Sequence, residues 1–309
     1  MIDPLAEVVG LLQPAVRYTK LVGAAGRWGV RRADAGHPLY CVVLEGRCRI
    51  SRKGEPAMTL EAGDFVLVPA ATEFTMTGMR TPAARDFNQA PLLLPSGEFR
   101  LGAHDGPPEV CYVIGHCVFA SHDAALLVSL LPRLVHIRGD ARLSTLVHLL
   151  GDKSRERRPA REVVMSRLLE VLMIEALRSA EGAGAAPGLV RGLADARLAA
   201  ALRRMHEAPA QAWTVADLAR EAALSRSAFF DRFSKALGMA PMEYLLAWRM
   251  ALAKDLLRGG ARRVAEVAEQ VGYGSASAFS VAFARHVGVP PARFAHLDEA
   301  APEGAMATM

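Results

Sequence analysis

The sequence has no long apolar segment and little cysteine. No apolar run approaches the roughly 18 residues of a membrane-spanning helix, and the opening MIDPLAEVVGLLQP lacks the basic start, apolar core and cleavage site of a secretory signal. We therefore expect a cytoplasmic protein with no membrane partner. The four cysteines among 309 residues, Cys41, Cys48, Cys111 and Cys117, do not resemble the disulfide framework of a secreted domain, so we expect reduced thiols.

The composition is that of a folded protein of roughly two domains, with 51% hydrophobic and 22% charged residues. The charge is uneven along the chain. Residues 193–297 carry 14 Lys+Arg against 9 Asp+Glu, or +5; residues 1–192 carry 23 against 20, or +3; and the last residues, 298–309, carry 0 against 3. The more basic C-terminal part favours a surface that faces phosphates.

One helical pattern occurs twice between Trp213 and Phe294. The first copy reads VADLAREAALSRSAFFDRFSKALGMAP from Val215, and the second reads VAEVAEQVGYGSASAFSVAFARHVGVPP from Val264. The offset is 49 residues and becomes 50 before Ser275. Two copies are too few for a solenoid, so we predict a pair of helix-turn-helix units.

Capping residues place the helices of each unit. Thr214 precedes a helix that runs to Ala222, and Ser225 precedes one that runs to Leu237. The second copy predicts helices over Val264–Val271 and Ser275–Val287, and another helix, Asp195–Glu207, precedes both copies. We expect small residues where the helices cross and aromatic residues in the core: Ala219, Ala268, Phe229, Phe233, Phe279 and Phe283.

A long helix is predicted between the two units. Met242–Arg258 comprises strong helix formers, and 17 residues span about 25 Å. Such a helix can hold two recognition helices about one DNA turn apart, roughly 34 Å, so that one chain reads two adjacent major grooves.

The N-terminal half has a different pattern. Asp3 and Pro4 begin a short helix. Between Arg27 and Phe74, short apolar segments are separated by glycines, and Glu109–Phe119 has the pattern of a last long strand. Strands at this spacing predict a small antiparallel sandwich or barrel.

Three helices are predicted after the last strand: Ala124–Leu131, with Asp123 as its cap, Leu143–Leu150 and Val163–Leu177. The third has a broad apolar face, which suits either a subunit interface or packing within the domain. Ser179–Gly192 is rich in glycine, alanine and proline and reads as a linker. We therefore predict a domain over 1–178, a linker over 179–192, a second domain over 193–297 and a flexible tail over 298–309.

Several motifs resemble the AraC/XylS family of bacterial transcriptional regulators. They are VAEVAEQVGYGSASAFSVAFARHVGVPPARF from Val264, LAREAALSRSAFFDRFSKALGMAP and YLLAWRMALAKDLL. The segments LEGRCRI, LEAGDFVLVP and LLVSLLP resemble the cupin-type sensor domain often attached to this family. The resemblance implies an α+β two-domain protein. Its N-terminal part is a cupin-like β-barrel followed by helices, and its all-α C-terminal domain joins two helix-turn-helix units by a long helix.

The resemblance also implies which residues face the DNA bases. In the first unit they are Arg226, Ser227, Phe230 and Asp231, and in the second they are Ala276, Ser277, Ser280 and Val281. Arginine can bind guanine O6 and N7, aspartate can accept from cytosine N4, and phenylalanine can contact a thymine methyl group. The second set has less hydrogen-bonding reach. We therefore predict direct readout mainly by the first unit and backbone contact mainly by the second, with Arg285 and the serines of the second unit, which include Ser275, near phosphates.

Alternatively, Arg226 and Asp231 are surface residues with no role in DNA recognition.

The resemblance to metal-binding cupins fails at the ligand positions. Those proteins place two histidines and a glutamate near the first strand pair and another histidine after the second. Here His37 and Glu45 lie near the first position, and Phe74 stands where the later histidine would be. We therefore expect no metal, no cofactor and no catalytic residues. A metal-binding cupin enzyme fused to a DNA-binding domain is the least favoured alternative.

Two further clusters leave alternatives open. Cys111, His116, Cys117 and His122 lie within twelve positions, and we favour core cysteines over a redox-active thiol at Cys111 or Cys117, or a metal site. The basic run Arg155–Arg161 is most simply a solvated loop, with a phosphate contact or an anionic-effector site as alternatives.

These observations predict a sequence-specific DNA-binding transcriptional regulator that responds to a small molecule or a redox signal through its N-terminal domain. Its expected partners are double-stranded promoter DNA, RNA polymerase if it is an activator, a small-molecule effector, and a second copy of the chain bound through Val163–Leu177. A thiol-based sensor that uses Cys111 and Cys117 is the main alternative.

Overall fold

The computed structural model describes residues 2–32, 37–52, 54–71, 73–119, 121, 124–132, 134–138, 145–146, 149, 160–179, 188–258 and 262–296. The chain divides into two compact units. The barrel unit comprises Leu12–Ala120 and Leu131–Ala186, and the helical unit comprises Met1–Leu11, Ser121–Leu130 and Pro187–Met309. The domain boundaries drawn from composition stay a prediction.

The barrel unit contains ten strands in its described part. They are β1 (Pro14–Ala25), β2 (Gly29–Arg32), β3 (His37–Arg52), β4 (Met58–Glu61), β5 (Phe65–Ala71), β6 (Phe74–Thr77), β7 (Leu92–Leu93), β8 (Phe99–Gly102), β9 (Val110–Phe119) and β10 (Val135–Ile137). The main sheet has the order β10-β5-β3-β9-β1-β8-β7. A smaller group, β2, β6 and β4, joins it through the far end of β3.

The long strand β3 belongs to both groups because it bends at Gly46. Its first part pairs with β5 and β9, and its last part pairs with β4 and β6. Gly46 has φ +72°, and a Cβ there would lie 2.0 Å from the carbonyl oxygen of Glu109. Only glycine fits this bend. All the pairs are antiparallel except β1 with β8, and the predicted cupin-like barrel is confirmed.

The barrel core lies between the two groups of strands. Trp28, Cys41, Cys48 and Ile50 are buried there, and Tyr112 stacks on Trp28 with ring centroids 5.9 Å apart. Because alternate residues of a strand face opposite sides, Val22 and Ala24 of β1 and Val110 and Tyr112 of β9 face this core together.

Strand β1 was not predicted, because its sequence, PAVRYTKLVGAA, does not alternate cleanly between apolar and polar residues. Strands β7, β8 and β10 were also missed, because each has four residues or fewer. Buried Arg100 of β8 is satisfied locally, donating from its guanidinium to the carbonyl oxygens of Gly106 (2.7 Å) and Ala103 (3.3 Å).

Helices also belong to the described part of the N-terminal half. Helix α1 covers Pro4–Leu12, α2 covers Ala124–Ser129, and α3 covers Arg161–Ser179. Asp3 Oδ1 accepts from the backbone N–H of Leu5 at 3.0 Å, as the cap predicts. Helix α3 packs on β1, where Ser166 Oγ accepts from the N–H of Val16 at 3.0 Å.

Some N-terminal predictions lie wholly or largely outside the described residues. These are the cap Asp123, His122, the helix Leu143–Leu150 and the basic run Arg155–Arg161.

The helical unit contains every helix predicted for its C-terminal part. The bounds are α4 (Leu189–Ala194), α5 (Ala196–Glu207), α6 (Val215–Glu221), α7 (Arg226–Leu237), α8 (Pro241–Leu257), α9 (Val264–Gln270), α10 (Ala276–Val287) and α11 (Pro291–Ala295). Helices α4 and α11 were not predicted. Helix α4 lies partly in the segment read as a linker, and Leu189 and Val190 are buried. No helix in the described ranges is long and apolar enough to cross a lipid bilayer.

Candidate nucleic-acid interface and effector cavity

Side-chain caps begin the helices of the first unit. Thr214 Oγ1 accepts from the N–H of Asp217 at 3.1 Å, and Asp217 Oδ2 accepts from the N–H of Thr214 at 3.0 Å. The Thr214 hydroxyl also donates to Asp217 Oδ2 at 2.6 Å. This hydrogen bond and the one from the Thr214 N–H lower the pKa of the partly exposed Asp217 carboxyl, with a smaller contribution from the charge of Arg220. Ser225 Oγ caps α7 by accepting from the N–H of Ala228 at 3.3 Å.

The two turns are built alike. The N–H of Leu224 donates to Ala219 at 2.9 Å, and the N–H of Tyr273 donates to Ala268 at 2.8 Å. Both turns pass through the left-handed region, at Ala223 (φ 51°) in the first unit and at Gly272 (φ 83°) in the second. Ala219 and Ala268 are buried, as small residues at the predicted close helix crossings would be.

The recognition helices are fixed from behind by aromatic pairs. Phe229 and Phe233 of α7, and Phe279 and Phe283 of α10, are completely buried. The ring centroids are 5.4 Å apart in each pair. The prediction that these rings belong to the core is confirmed, and the opposite face of each helix is left for contact with other molecules.

The outer face of α7 exposes all four residues predicted to face bases. Arg226, Ser227 and Asp231 are exposed, and Phe230 retains 43% of its accessible surface although it is a large apolar residue. Neither Arg226 nor Asp231 has an ion pair within the described part of the chain. The helix therefore presents one cation, one anion and one aromatic ring side by side.

The outer face of α10 offers fewer donors. Val281 is 71% exposed, and Ser280 Oγ donates its hydrogen to the carbonyl oxygen of Ala276 at 2.7 Å. Ser275 Oγ lies 3.1 Å from Ser277 Oγ, and Arg285 is exposed. The two copies thus share a core but differ in surface chemistry.

Helix α8 connects the units and anchors the loop before the first one. Its 17 residues span about 25 Å. Arg249 donates to the carbonyl oxygens of Pro209 and Gln211, each at 2.7 Å. Half-burial lowers the pKa of this guanidinium.

A buried histidine network was not anticipated from the sequence. His206 of α5 lies between Glu7 of α1 and Tyr244 of α8, with Nδ1–Oε2 and Nε2–OH distances of 2.7 Å each. Its ring packs on Trp248 with centroids 4.0 Å apart. Burial lowers the pKa of His206, although the hydrogen bond and charge of Glu7 act in the opposite direction. Only residue spacing along α5 hinted that this histidine faces inward.

The barrel unit encloses a cavity of about 300 Å³. It lies between β1, β8 and β9 on one side and β2 and β6 on the other. Sequence reasoning placed the effector in the barrel but did not identify the lining residues Lys20, Arg32 and His116. The inward alternation of Tyr18, Lys20 and Val22 could have revealed them, had β1 been recognised as a strand.

Comparisons with known proteins agree with this geometry. A family described as cupin matches residues 3–180, and one described as a helix-turn-helix domain matches residues 218–296. A protein of Streptomyces lividans named as an AraC-like transcription regulator is 34% identical, over 94% of this chain and 96% of its own length. One of the same description from Streptomyces antibioticus is 35% identical, over 94% and 97%. The regulator AlkR of Acinetobacter baylyi is 24% identical, over 88% and 92%.

This chain belongs to the AraC-like transcription regulators. The predicted family, the two-domain fold and the function as a DNA-binding regulator are confirmed.

The positions considered for a metal site show no ligand set among the described residues of this AraC-like regulator. Phe74 is buried and lines the cavity, and Glu45 is exposed. In the described ranges, no three His, Cys, Asp or Glu side chains are grouped so that they could hold a metal ion.

The four cysteines of this AraC-like regulator form no disulfide. Cys117 is completely buried, and burial raises its pKa to about 12. Cys111 is half-buried on the same strand. Six residues of β9 separate the two by about 20 Å, too far for a disulfide between them. A redox role for either thiol stays a prediction.

Proposed function

We propose that the protein binds promoter DNA with α7 and α10 in successive major grooves and changes transcription when a small molecule enters the barrel cavity. The observation that carries the proposal is the exposure of Arg226 and Asp231 on α7, neither of which has an ion pair with a described residue. A guanidinium and a carboxylate on the outer face of a recognition helix are the groups that distinguish G·C from A·T pairs in the major groove.

The two units contribute differently to recognition in this proposal. Helix α7 makes the direct base contacts through Arg226, Ser227, Phe230 and Asp231. Helix α10 mainly contacts the backbone, with Ser275, Ser277 and Arg285 at phosphates, because Val281 offers no hydrogen bond and the hydroxyl hydrogen of Ser280 is taken. Ala276 and Val281 add apolar contacts to the bases.

Footprinting of the operator, followed by binding measurements with Arg226→Ala, tests this proposal. Loss of one bidentate arginine contact weakens specific binding by about 1–3 kcal/mol, or roughly 5- to 150-fold, and relaxes the preference at one base pair. Arg203→Ala is the matched control, since Arg203 is an exposed arginine on α5 outside the recognition helices. Control binding should stay within about twofold of the wild type.

Val281→Ala should change operator affinity less than Arg226→Ala. Binding of every variant should weaken steeply with salt, with a slope of about −0.9 for each phosphate contact. Base preferences concentrated under α10, or equal losses for Arg226→Ala and Arg203→Ala, would contradict the assignment.

The remaining parts of the proposal concern partners and location. A second copy binds through α3, RNA polymerase is a partner if the protein activates transcription, and the protein acts in the cytoplasm. We propose no catalytic activity, no metal and no cofactor. The related proteins of known description are transcription regulators, which supports the regulatory role.

A further inference from the structure

The barrel cavity has an apolar wall with cations at its rim. Its apolar lining includes Val22, Val30, Met76, Leu101 and Ile114. A volume of about 300 Å³ is at the small end of ligand pockets in proteins, roughly 300–1,000 Å³. The cavity therefore suits one small molecule rather than a peptide or a polymer.

The charge of the lining has one sign. Lys20 and Arg32 both line the cavity, and no aspartate or glutamate lines it among the residues that the structure describes. Neither cation has an ion pair with a described carboxylate. Both side chains are exposed, so they lie where the cavity opens to solvent and where water screens part of their charge.

Lys20 is held at the cavity by aromatic rings. Its Nζ lies 5.0 Å from the ring centroid of Phe99 and 5.3 Å from that of Tyr18. These rings position the ammonium group without removing its hydrogen-bond donors. Its three N–H groups are therefore available to an acceptor in the cavity.

A neighbouring amide adds further donors. The Oδ1 atom of Asn88 already accepts from the backbone N–H of Arg31 at 2.8 Å. The remaining hydrogen-bonding group of this side chain is its NH₂, which only donates. Lys20, Arg32 and the Asn88 amide thus offer donors at the rim, and the ligand group that matches the two cations is an acceptor with negative charge.

We propose that the cavity binds a small organic carboxylate with an apolar body. Lys20 and Arg32 bind the carboxylate, and the apolar wall contacts the body of the molecule. This inference rests on the proposed function of the barrel as the sensing site, and it adds the chemical class of the effector.

Matched acid and alcohol probes test the proposal on the full chain. Octanoate and 2-naphthoate are compared with octan-1-ol and 2-naphthylmethanol by calorimetry and by the ligand-induced shift in thermal unfolding. Each acid should bind about tenfold or more tightly than its alcohol, the scale of one charge-assisted hydrogen bond. Equal affinity of acid and alcohol, or binding of neither, would overturn the proposal.

Variants of Lys20 test whether its ammonium group binds the carboxylate of the ligand. Lys20→Met should reduce acid binding about tenfold while leaving alcohol binding unchanged, and Lys20→Arg should restore most of the loss. Arg17→Met is the matched control, because Arg17 is an exposed cation on the same strand that does not line the cavity. Equal effects of Lys20→Met and Arg17→Met would contradict a specific role for Lys20.

Operator binding provides a separate readout of the underlying function. If the acids bind the cavity but do not change operator affinity, the carboxylate proposal is supported and the proposed sensing function is contradicted. If operator affinity responds to the alcohols as strongly as to the acids, the sensing function is supported and the carboxylate proposal is contradicted.

Discussion

Thiol reactivity depends on the surroundings of each individual cysteine. A thiol attacks as its thiolate, so burial makes it inert by raising its pKa and by excluding the reagent. Burial raises the pKa of Cys48 and Cys117 to about 12 and that of Cys41 well above its usual value. Cys111 alone is half-buried.

We predict that an alkylating reagent modifies Cys111 first in the folded protein. Cys41, Cys48 and Cys117 should react only after denaturant unfolds the barrel. Peptide mass spectrometry over a time course measures the order, and Cys111→Ser supplies the control. Rapid modification of Cys117 under native conditions would instead support the thiol-sensor alternative.

The pKa of His206 also depends strongly on the surroundings of the side chain. Its pKa is lowered in the fold mainly by burial, whereas the unfolded chain has a pKa near 6.5. Just below pH 6.5, His206 is therefore protonated in the unfolded state but remains largely neutral in the folded state. The stability that His206 contributes is complete above this pH and decreases as the solution becomes more acidic.

We predict that the helical unit loses more stability between pH 7.5 and 5.5 in the wild type than in His206→Gln. Glutamine can still hydrogen-bond Glu7 and Tyr244 but does not titrate. Thermal unfolding followed by tryptophan fluorescence at each pH gives the two slopes, and Trp213 and Trp248 report on this unit. Parallel slopes would show that His206 does not cause the acid sensitivity.

At the scale of elements, the turn between α9 and α10 depends on the backbone conformation of one glycine, Gly272. Gly272 has φ +83°, and a Cβ there would lie 2.6 Å from the carbonyl oxygen of Ala210. Gly274, two residues later, has nothing within 4 Å of a Cβ. The two glycines therefore differ in how much the fold requires them.

We predict that Gly272→Ala destabilises the protein by about 1–3 kcal/mol, because the left-handed backbone and the contact with Ala210 both oppose a side chain. Gly274→Ala should stay within about 0.5 kcal/mol of the wild type. Urea unfolding measures both values. Equal losses of stability in the two variants would mean that the backbone of this turn rearranges to accept a side chain at position 272.

The elements also differ in how far the sequence could predict them. Helices α6, α7, α9 and α10 were predicted within about two residues, because caps and spaced phenylalanines act within one or two turns of the chain. Strand β1 was missed because Arg17, Tyr18 and Lys20 interrupt its apolar residues without a clean alternation. Their polarity hides the alternation that would identify a strand.

At the scale of the whole molecule, α3 leaves apolar surface uncovered. Val163, Val164 and Val171 are 63%, 41% and 44% exposed, although α3 packs on β1 along its other face. A second copy of the chain could bury these side chains, and apolar burial is the main driving force for association.

We predict that the wild type forms a dimer that Val171→Asp weakens. A buried unpaired carboxylate opposes association, so the variant should shift toward monomer at micromolar concentration. Leu93→Asp is the control, because Leu93 is 59% exposed on β7. Light scattering coupled to gel filtration measures the mass. A wild type that is monomeric at all concentrations would remove α3 as an interface.

The sequence by itself determined the duplicated helical unit and its asymmetry. The caps, the phenylalanines at four-residue spacing and the different outward residues of α7 and α10 are local features, so one linear pattern specified them. Only the tertiary structure brought Lys20 and Arg32, from two different strands, to the rim of one cavity. It also placed Glu7 against His206, 199 residues apart. Contacts of this kind depend on strand order and helix packing, and these are set by the burial of many residues together rather than by the pattern of any one segment.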